Sequence, residues 1–252
     1  MYLSRLVLDA RRTMVRRDLG DCQELHRTLL RAFPQAPVGE SGRAYAGVLF
    51  RVDVDRGQTV ALVQSRLAPD WGALPDGYLR ADMAEPLAVR DLDAALAGLE
   101  QGRRLRFRLR ANPVRAELPQ TGEKLRGRGK RVALGNDCPG TPNGRTGEQK
   151  CLDWLAGKGR TAGFRLASVA RSPFFDDDEA ELPDVRLAAE DDLRGFRKDA
   201  GAAGARKRLT LSPVLFEGRL DVEDAAALRL AVAQGIGPGK AYGCGLLSLA
   251  RG

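Results

Sequence analysis

Residues 104–111 read Arg-Leu-Arg-Phe-Arg-Leu-Arg-Ala, and their alternation decides how the chain is read. Successive side chains of a strand point to opposite faces, so Leu105, Phe107 and Leu109 face a core while Arg104, Arg106, Arg108 and Arg110 line the other face as a basic strip. Downstream, Arg131–Leu134 offers a possible strand partner. Gly147–Lys158 reads as a helix with Leu152 and Leu155 inward, and Phe164–Val169 as a further strand. Leu215–Val222 is a strand, Glu223–Gln234 a helix and Gly245–Leu249 an apolar closing strand. The order is β, α, β, β, α, β with an extra hairpin arm.

Upstream, the same kinds of element recur in much the same order. Tyr2–Leu8 reads as a core strand. From Asp21 the spacing of Leu25, Leu29, Leu30 and Phe33 predicts an amphipathic helix of about three turns, with Asp18 and Asp21 supplying caps and Pro34 and Pro37 stopping it. Gly47–Asp53 and Thr59–Ser65 form a hairpin across Asp55, Arg56 and Gly57, which have turn chemistry. A second helix is poorly written, and Arg90–Gly102 reads as a short helix or a linker. The expected fold is α+β: two tandem ferredoxin-like (RRM-like) domains, residues 1–95 and 103–252, with antiparallel sheets and helices on one face, a better match than a Rossmann sheet. A chain of 252 residues accommodates two such domains.

The formal charge of +8 is focused: residues 103–131 hold eleven Lys or Arg against Glu117 and Glu123, and the rest of the chain is close to neutral. Arginine predominates, and its planar fork suits phosphate and stacks on bases, so a nucleic acid is the expected partner. Residues 171–205 carry a net charge of −5 with the acidic run Asp176–Glu179. They read as a flexible surface insertion that would repel a phosphate backbone. Cys22, Cys138, Cys151 and Cys244 are scattered, with no CxxC pair and no adjacent histidine, so neither a disulfide framework nor a metal site nor a cofactor is expected. The start MYLSRLVLDARR reaches charge too early for a signal peptide, and no apolar stretch approaches the ~18 residues of a membrane span. A cytoplasmic location is expected.

Two places could carry chemistry. The segment GIGPGKAYGCG, residues 235–245, has five glycines in eleven residues between a helix and the closing strand. Gly235, Gly237 and Gly239 let backbone amides approach a phosphate, Lys240 adds a point charge, and an anion site follows. Pro238 and the missing GK[ST] argue against a nucleotide loop, and a long tight connection is the plainer alternative. His26, the only histidine, lies on the first helix beside Arg27. A lone helical histidine is more often a surface or packing residue than a catalyst, so its role stays open on these grounds.

The stretches MYLSRLVLDA, DCQELHRTLLRAFP, LVQSRLAPDW, RLRFRLRANPVR, VLFEGRLDV and GIGPGKAYGCGLLSLA together resemble the CasE-type CRISPR-associated endoribonuclease of the type I-E system. Phe107–Pro113 and Gly235–Ser248 are the most specific pieces. The resemblance implies a tandem ferredoxin-like protein of the repeat-associated superfamily that binds the hairpin of a CRISPR repeat transcript. Such a protein cuts at the base of the stem without a metal, by attack of the adjacent 2′-hydroxyl to leave a 2′,3′-cyclic phosphate. The mature crRNA stays bound with the other subunits of Cascade. His26 aligns with the family's catalytic histidine, and an imidazole can take a proton from a 2′-hydroxyl or give one to a 5′-oxygen at cellular pH. Gln23 stands where some members carry a tyrosine; it can hydrogen-bond but not titrate. Arg27 is then a candidate for steadying the phosphate. Arg104, Arg106, Arg108, Arg110, Arg128, Lys130 and Arg131 are candidates for the stem's phosphates, followed by Lys158, Arg160, Arg206, Lys207 and Arg208. A non-catalytic RNA-binding subunit of the same superfamily is the alternative.

Overall fold

The computed structural model describes residues 1–117, 130–134, 147–170, 181–198 and 206–252. Its elements run β1 (Tyr2–Leu8), α1 (Thr13–Gly20), α2 (Cys22–Leu30), α3 (Gly42–Ala46), β2 (Leu49–Asp55), β3 (Gln58–Ser65), β4 (Leu87–Asp91), α4 (Asp93–Ala97), β5 (Arg104–Ala111), β6 (Val114–Glu117), β7 (Lys130–Ala133), α5 (Gly147–Ala162), β8 (Phe164–Leu166), β9 (Ser168–Ala170), β10 (Glu181–Pro183), β11 (Val185–Ala189), β12 (Leu193–Lys198), β13 (Arg206–Leu211), β14 (Val214–Val222), α6 (Ala225–Gln234) and β15 (Leu247–Arg251).

The first sheet has the order β2-β3-β1-β4, all antiparallel, which is the strand order of a ferredoxin-like unit. Its hairpin turns on Arg56 and Gly57, both at positive φ (49° and 74°), the conformation that matches strand twist in a two-residue loop. Helix α2 starts where expected: the Asp21 carboxylate accepts from Gln23 N and Glu24 N. Leu25 and Leu29 are buried with Leu6, Leu8, Phe50 and Val63. Asp18, expected as a cap, instead lies buried in α1 and accepts from the hydroxyls of Thr28 and Tyr78. Helix α1 itself was not legible. The second helix is absent: Pro69, Pro75 and Pro86 remove helical donors, and an irregular segment covers the sheet through Trp71 and Tyr78, with Trp71 Nε1 donating to the buried Ser4 Oγ.

The second sheet has the order β11-β14-β5-β15, and β8 also pairs with β14. Alternation in β5 is as read: Leu105, Phe107 and Leu109 are buried against Phe164, Phe216, Leu220 and Leu228. In α5 the inward positions are Cys151 and Leu155, while Leu152 is half-buried. The strand expected over Phe164–Val169 is divided into β8 and β9. Residues 181–198 are not a loose surface insertion. β11 continues the edge of β14 that β8 begins, from Leu220↔Leu166 to Val185↔Gly218 and Ala189↔Val214, so together they form the strand the second unit needed. β12 pairs with β13 as a separate hairpin.

The two sheets meet through a buried cation. Arg51 in β2 is 1% exposed; it donates to Asp53, to the carbonyl oxygens of Arg108 and Leu246, and to Ser248 Oγ. Gln64 adds a bond to Val232 O. These contacts fix β2 and β3 against β5, α6 and the residues that lead into β15.

Candidate active site at the junction of α2 and the glycine-rich loop

The loop after α6 turns on glycines held at positive φ. A Cβ at Gly237 (φ 79°) would lie 2.9 Å from the Trp154 ring, and one at Gly235 (φ 77°) 2.8 Å from Leu49 Cδ2, so the loop is pressed against both halves of the molecule. Ile236 N donates to Gly245 O and Gly245 N to Arg110 O, closing the loop onto β5. The amides of Gly237 and Gly239 make no backbone hydrogen bond among the described residues. Beside them is a cavity of about 250 Å³ lined by Lys158, Thr161, Gln234, Gly235 and Gly237. Open amides, Lys158 and Lys240 make this stretch suited to an anion.

The same loop carries Tyr242 to α2. The His26 ring lies 6.2 Å from the Tyr242 ring, edge to face, and 6.5 Å from Phe50 in a near-parallel stack at 19°. His26 Nδ1 is buried and has no hydrogen-bond partner. Burial, then the guanidinium groups of Arg43 and Arg27, push its pKa from 6.5 down to about 4, so the free protein holds a neutral imidazole at pH 7. Burial also lowers the pKa of Lys240, helped by Arg43 and Lys158. Arg43 thus acts on both His26 and Lys240, with Arg27 adding to its effect on the first and Lys158 on the second. Arg27, exposed on α2, is paired with Glu24.

The sequence-predicted residues separate into two groups. Helix α2, with His26 and Arg27, packs against residues 240–242, which brings Lys240 and the preceding Gly239 beside it, whereas Gly235 and Gly237 line the cavity with Lys158. The β5 arginines lie elsewhere, and most hold carboxylates. Cross-strand register sets Arg104 against Asp221 and Arg108 against Glu217, with bonds of 2.7 and 2.6 Å, while Arg110 is paired with Glu190 at the end of β11. Arg106 is exposed and has no carboxylate partner among the described residues. Arg128 lies outside the described residues, and Lys130 and Arg131 are placed as backbone in β7. Sequence reasoning missed Tyr242, Phe50 and Arg43. Tyr242 stood inside the glycine-rich segment, and the spacing of Phe50 and Arg43 gave no signal.

A family model for CRISPR associated proteins matches residues 1–251. The chain is 36% identical to the CRISPR-associated endoribonuclease Cse3 of Thermus thermophilus, covering 99% of this chain and 100% of that one. It is 29% identical to the CRISPR system Cascade subunit CasE of Escherichia coli, over 99% of each. Among solved structures, the endoribonuclease Cse3 bound to a 19-nucleotide RNA superposes with a TM-score of 0.70 at 35% identity, covering 99% of this chain and all of that one. Cas6e of Escherichia coli gives 0.57 at 27%, covering both chains fully. Among the described residues no helix is long and apolar enough to cross a membrane. With its matched span, its identity to Cse3 and its two ferredoxin-like sheets, the chain belongs to the CRISPR-associated protein family, in its CasE type.

Proposed function

We propose that this protein is the endoribonuclease that matures CRISPR transcripts: it binds the hairpin of a repeat, cuts at the base of the stem and keeps the product crRNA with the other Cascade subunits. The observation that carries the reading is the meeting of His26 with Tyr242 and the glycine-rich loop, which joins a proton-transfer group to an anion site. The RNA in the Cse3 complexes and the endoribonuclease names of the relatives support it.

The cut needs no metal in this reading. The 2′-oxygen attacks the adjacent phosphorus, the P–O2′ bond forms and the P–O5′ bond breaks, leaving a 2′,3′-cyclic phosphate and a 5′-hydroxyl. Neutral His26 is suited to take the 2′-proton; the departing 5′-oxygen takes its proton from water or from the imidazolium so formed. Lys240, Arg43, Arg27 and the open glycine amides offset charge on the phosphorane. Gln23 can orient a hydroxyl but cannot carry a proton. Arg106 is the readiest of the β5 arginines to meet a stem phosphate, whereas Arg104, Arg108 and Arg110 must first exchange a carboxylate for one. The units 1–95 and 103–252 then divide the work between the catalytic helix and the glycine-rich loop with the basic strands, and the protein acts where transcripts are, in the cytoplasm.

The test is cleavage of a cognate repeat hairpin in EDTA. Wild type is expected to cut once, giving a 3′ end that resists phosphatase until the cyclic phosphate is opened. His26→Ala is expected to bind the hairpin and cut on the order of a hundred to ten thousand times more slowly. Cutting at the wild-type rate by that variant removes His26 from the mechanism, and binding without cutting by wild type favours the non-catalytic subunit.

A further inference from the structure

The β12–β13 hairpin is tied to the helix that carries His26. Gly195 lies so close to the start of α2 that a Cβ there would be 2.7 Å from Asp21 Oδ1 and 3.0 Å from Cys22 Sγ. The register sets Arg194 opposite Thr210, Gly195 opposite Leu209, Phe196 opposite Arg208 and Arg197 opposite Lys207. Neighbours along a strand alternate in face and opposed residues share one. With Gly195 turned to α2, Arg194, Phe196 and Arg208 therefore stand together on the other side.

All three are exposed, Phe196 at 49%. Every other aromatic ring among the described residues is buried or half-buried. Arg194 and Arg208 have no carboxylate partner among the described residues, unlike Arg104, Arg108 and Arg110. Arg197 and Lys207 add two further exposed cations to the same hairpin.

A flat apolar ring with a guanidinium on either side matches an unpaired nucleotide, whose base stacks on the ring while its phosphates take the forks. A paired stem offers no such group, because its bases are stacked and its A-form major groove is closed to side chains. We propose that Arg194, Phe196 and Arg208, on the outer face of the hairpin that packs on the start of α2, bind single-stranded RNA flanking the stem. The proposal rests on the RNA-cleaving reading and adds to it a contact outside the hairpin.

Binding is measured by fluorescence anisotropy with three probes carrying a 2′-deoxy sugar at the scissile position: the bare stem-loop, the stem-loop with a 5′ single-stranded flank, and the stem-loop with a 3′ flank. The Phe196→Ala/Arg208→Ala variant, checked for an unchanged melting temperature, is expected to lose about tenfold or more in affinity for at least one flanked probe. Its affinity for the bare stem-loop stays within about twofold, the scatter expected of surface substitutions away from a contact. The slope of log Kd on log salt for the flanked probe falls by about 0.7 with the arginine removed, and Phe196→Tyr keeps wild-type affinity. Equal affinities of variant and wild type for all probes overturn the proposal, as does an equal loss on the bare stem-loop. A defect that shows only in assembly with other subunits overturns it too and assigns the face to a protein. Wild type that binds none of the probes overturns the underlying RNA-cleaving reading instead, so the two failures stay distinguishable.

Discussion

His26 is the only histidine, so its ring C–H signals can be followed through a pH titration by NMR without assignment. Its pKa lies at about 4 instead of 6.5. The folded protein therefore favours the neutral ring by roughly 3 kcal/mol. Burial is the largest cause, followed by Arg43 and Arg27, so Arg43→Ala is expected to raise the midpoint only part of the way to 6.5. A folded-state pKa below the unfolded one means that between pH 6.5 and 4 the unfolded chain binds a proton that the native state refuses. Stability therefore falls as the solution is acidified through this window, by about 1.4 kcal/mol per pH unit at its steepest. His26→Gln is expected to remove that slope, measured as the difference between urea denaturation series of variant and wild type. Binding a 2′-deoxy repeat hairpin places a phosphate beside the ring and is expected to raise the midpoint, bringing it toward the range where a proton can be both taken and returned. A midpoint between 6 and 7 in the free protein, or denaturation curves whose pH dependence is the same in His26→Gln, would refute the reasoning.

Two further outcomes follow from the geometry. Arg51→Ala leaves Asp53 and two carbonyl oxygens without their buried donor, so it is expected to destabilise by about 3 kcal/mol or more and to lower Tm by several degrees in a calorimetric scan; an unchanged Tm would show that water satisfies the junction as well as the guanidinium does. Gly237→Ala puts a methyl group 2.9 Å from the Trp154 ring at φ 79° and is expected to slow cleavage far more than Gly20→Ala, where nothing lies within 4 Å; equal rates would detach the loop's conformation from the cut.

Alternation in residues 104–111, the Asp21 cap ahead of Leu25 and Leu29, and the Arg56-Gly57 turn are local patterns, and the sequence alone determined those elements, the ferredoxin-like class of both units and the place of His26 on its helix. Local spacing did not reveal the edge strand divided between β8 and β11, because two short pieces with other residues between them carry no common period. Nor could it weigh the basic strip. Whether an arginine is free depends on what stands opposite in the register, and Glu217, Asp221 and Glu190 lie some eighty or more residues away along the chain. The site was likewise half legible: a histidine and a glycine-rich loop were each visible, but their meeting through Tyr242 and Phe50, and the burial that keeps the imidazole neutral, exist only once the two sheets are locked together around Arg51. Charge and periodicity are properties of the chain, whereas desolvation and ion pairing are properties of neighbours, and neighbours are set by tertiary packing.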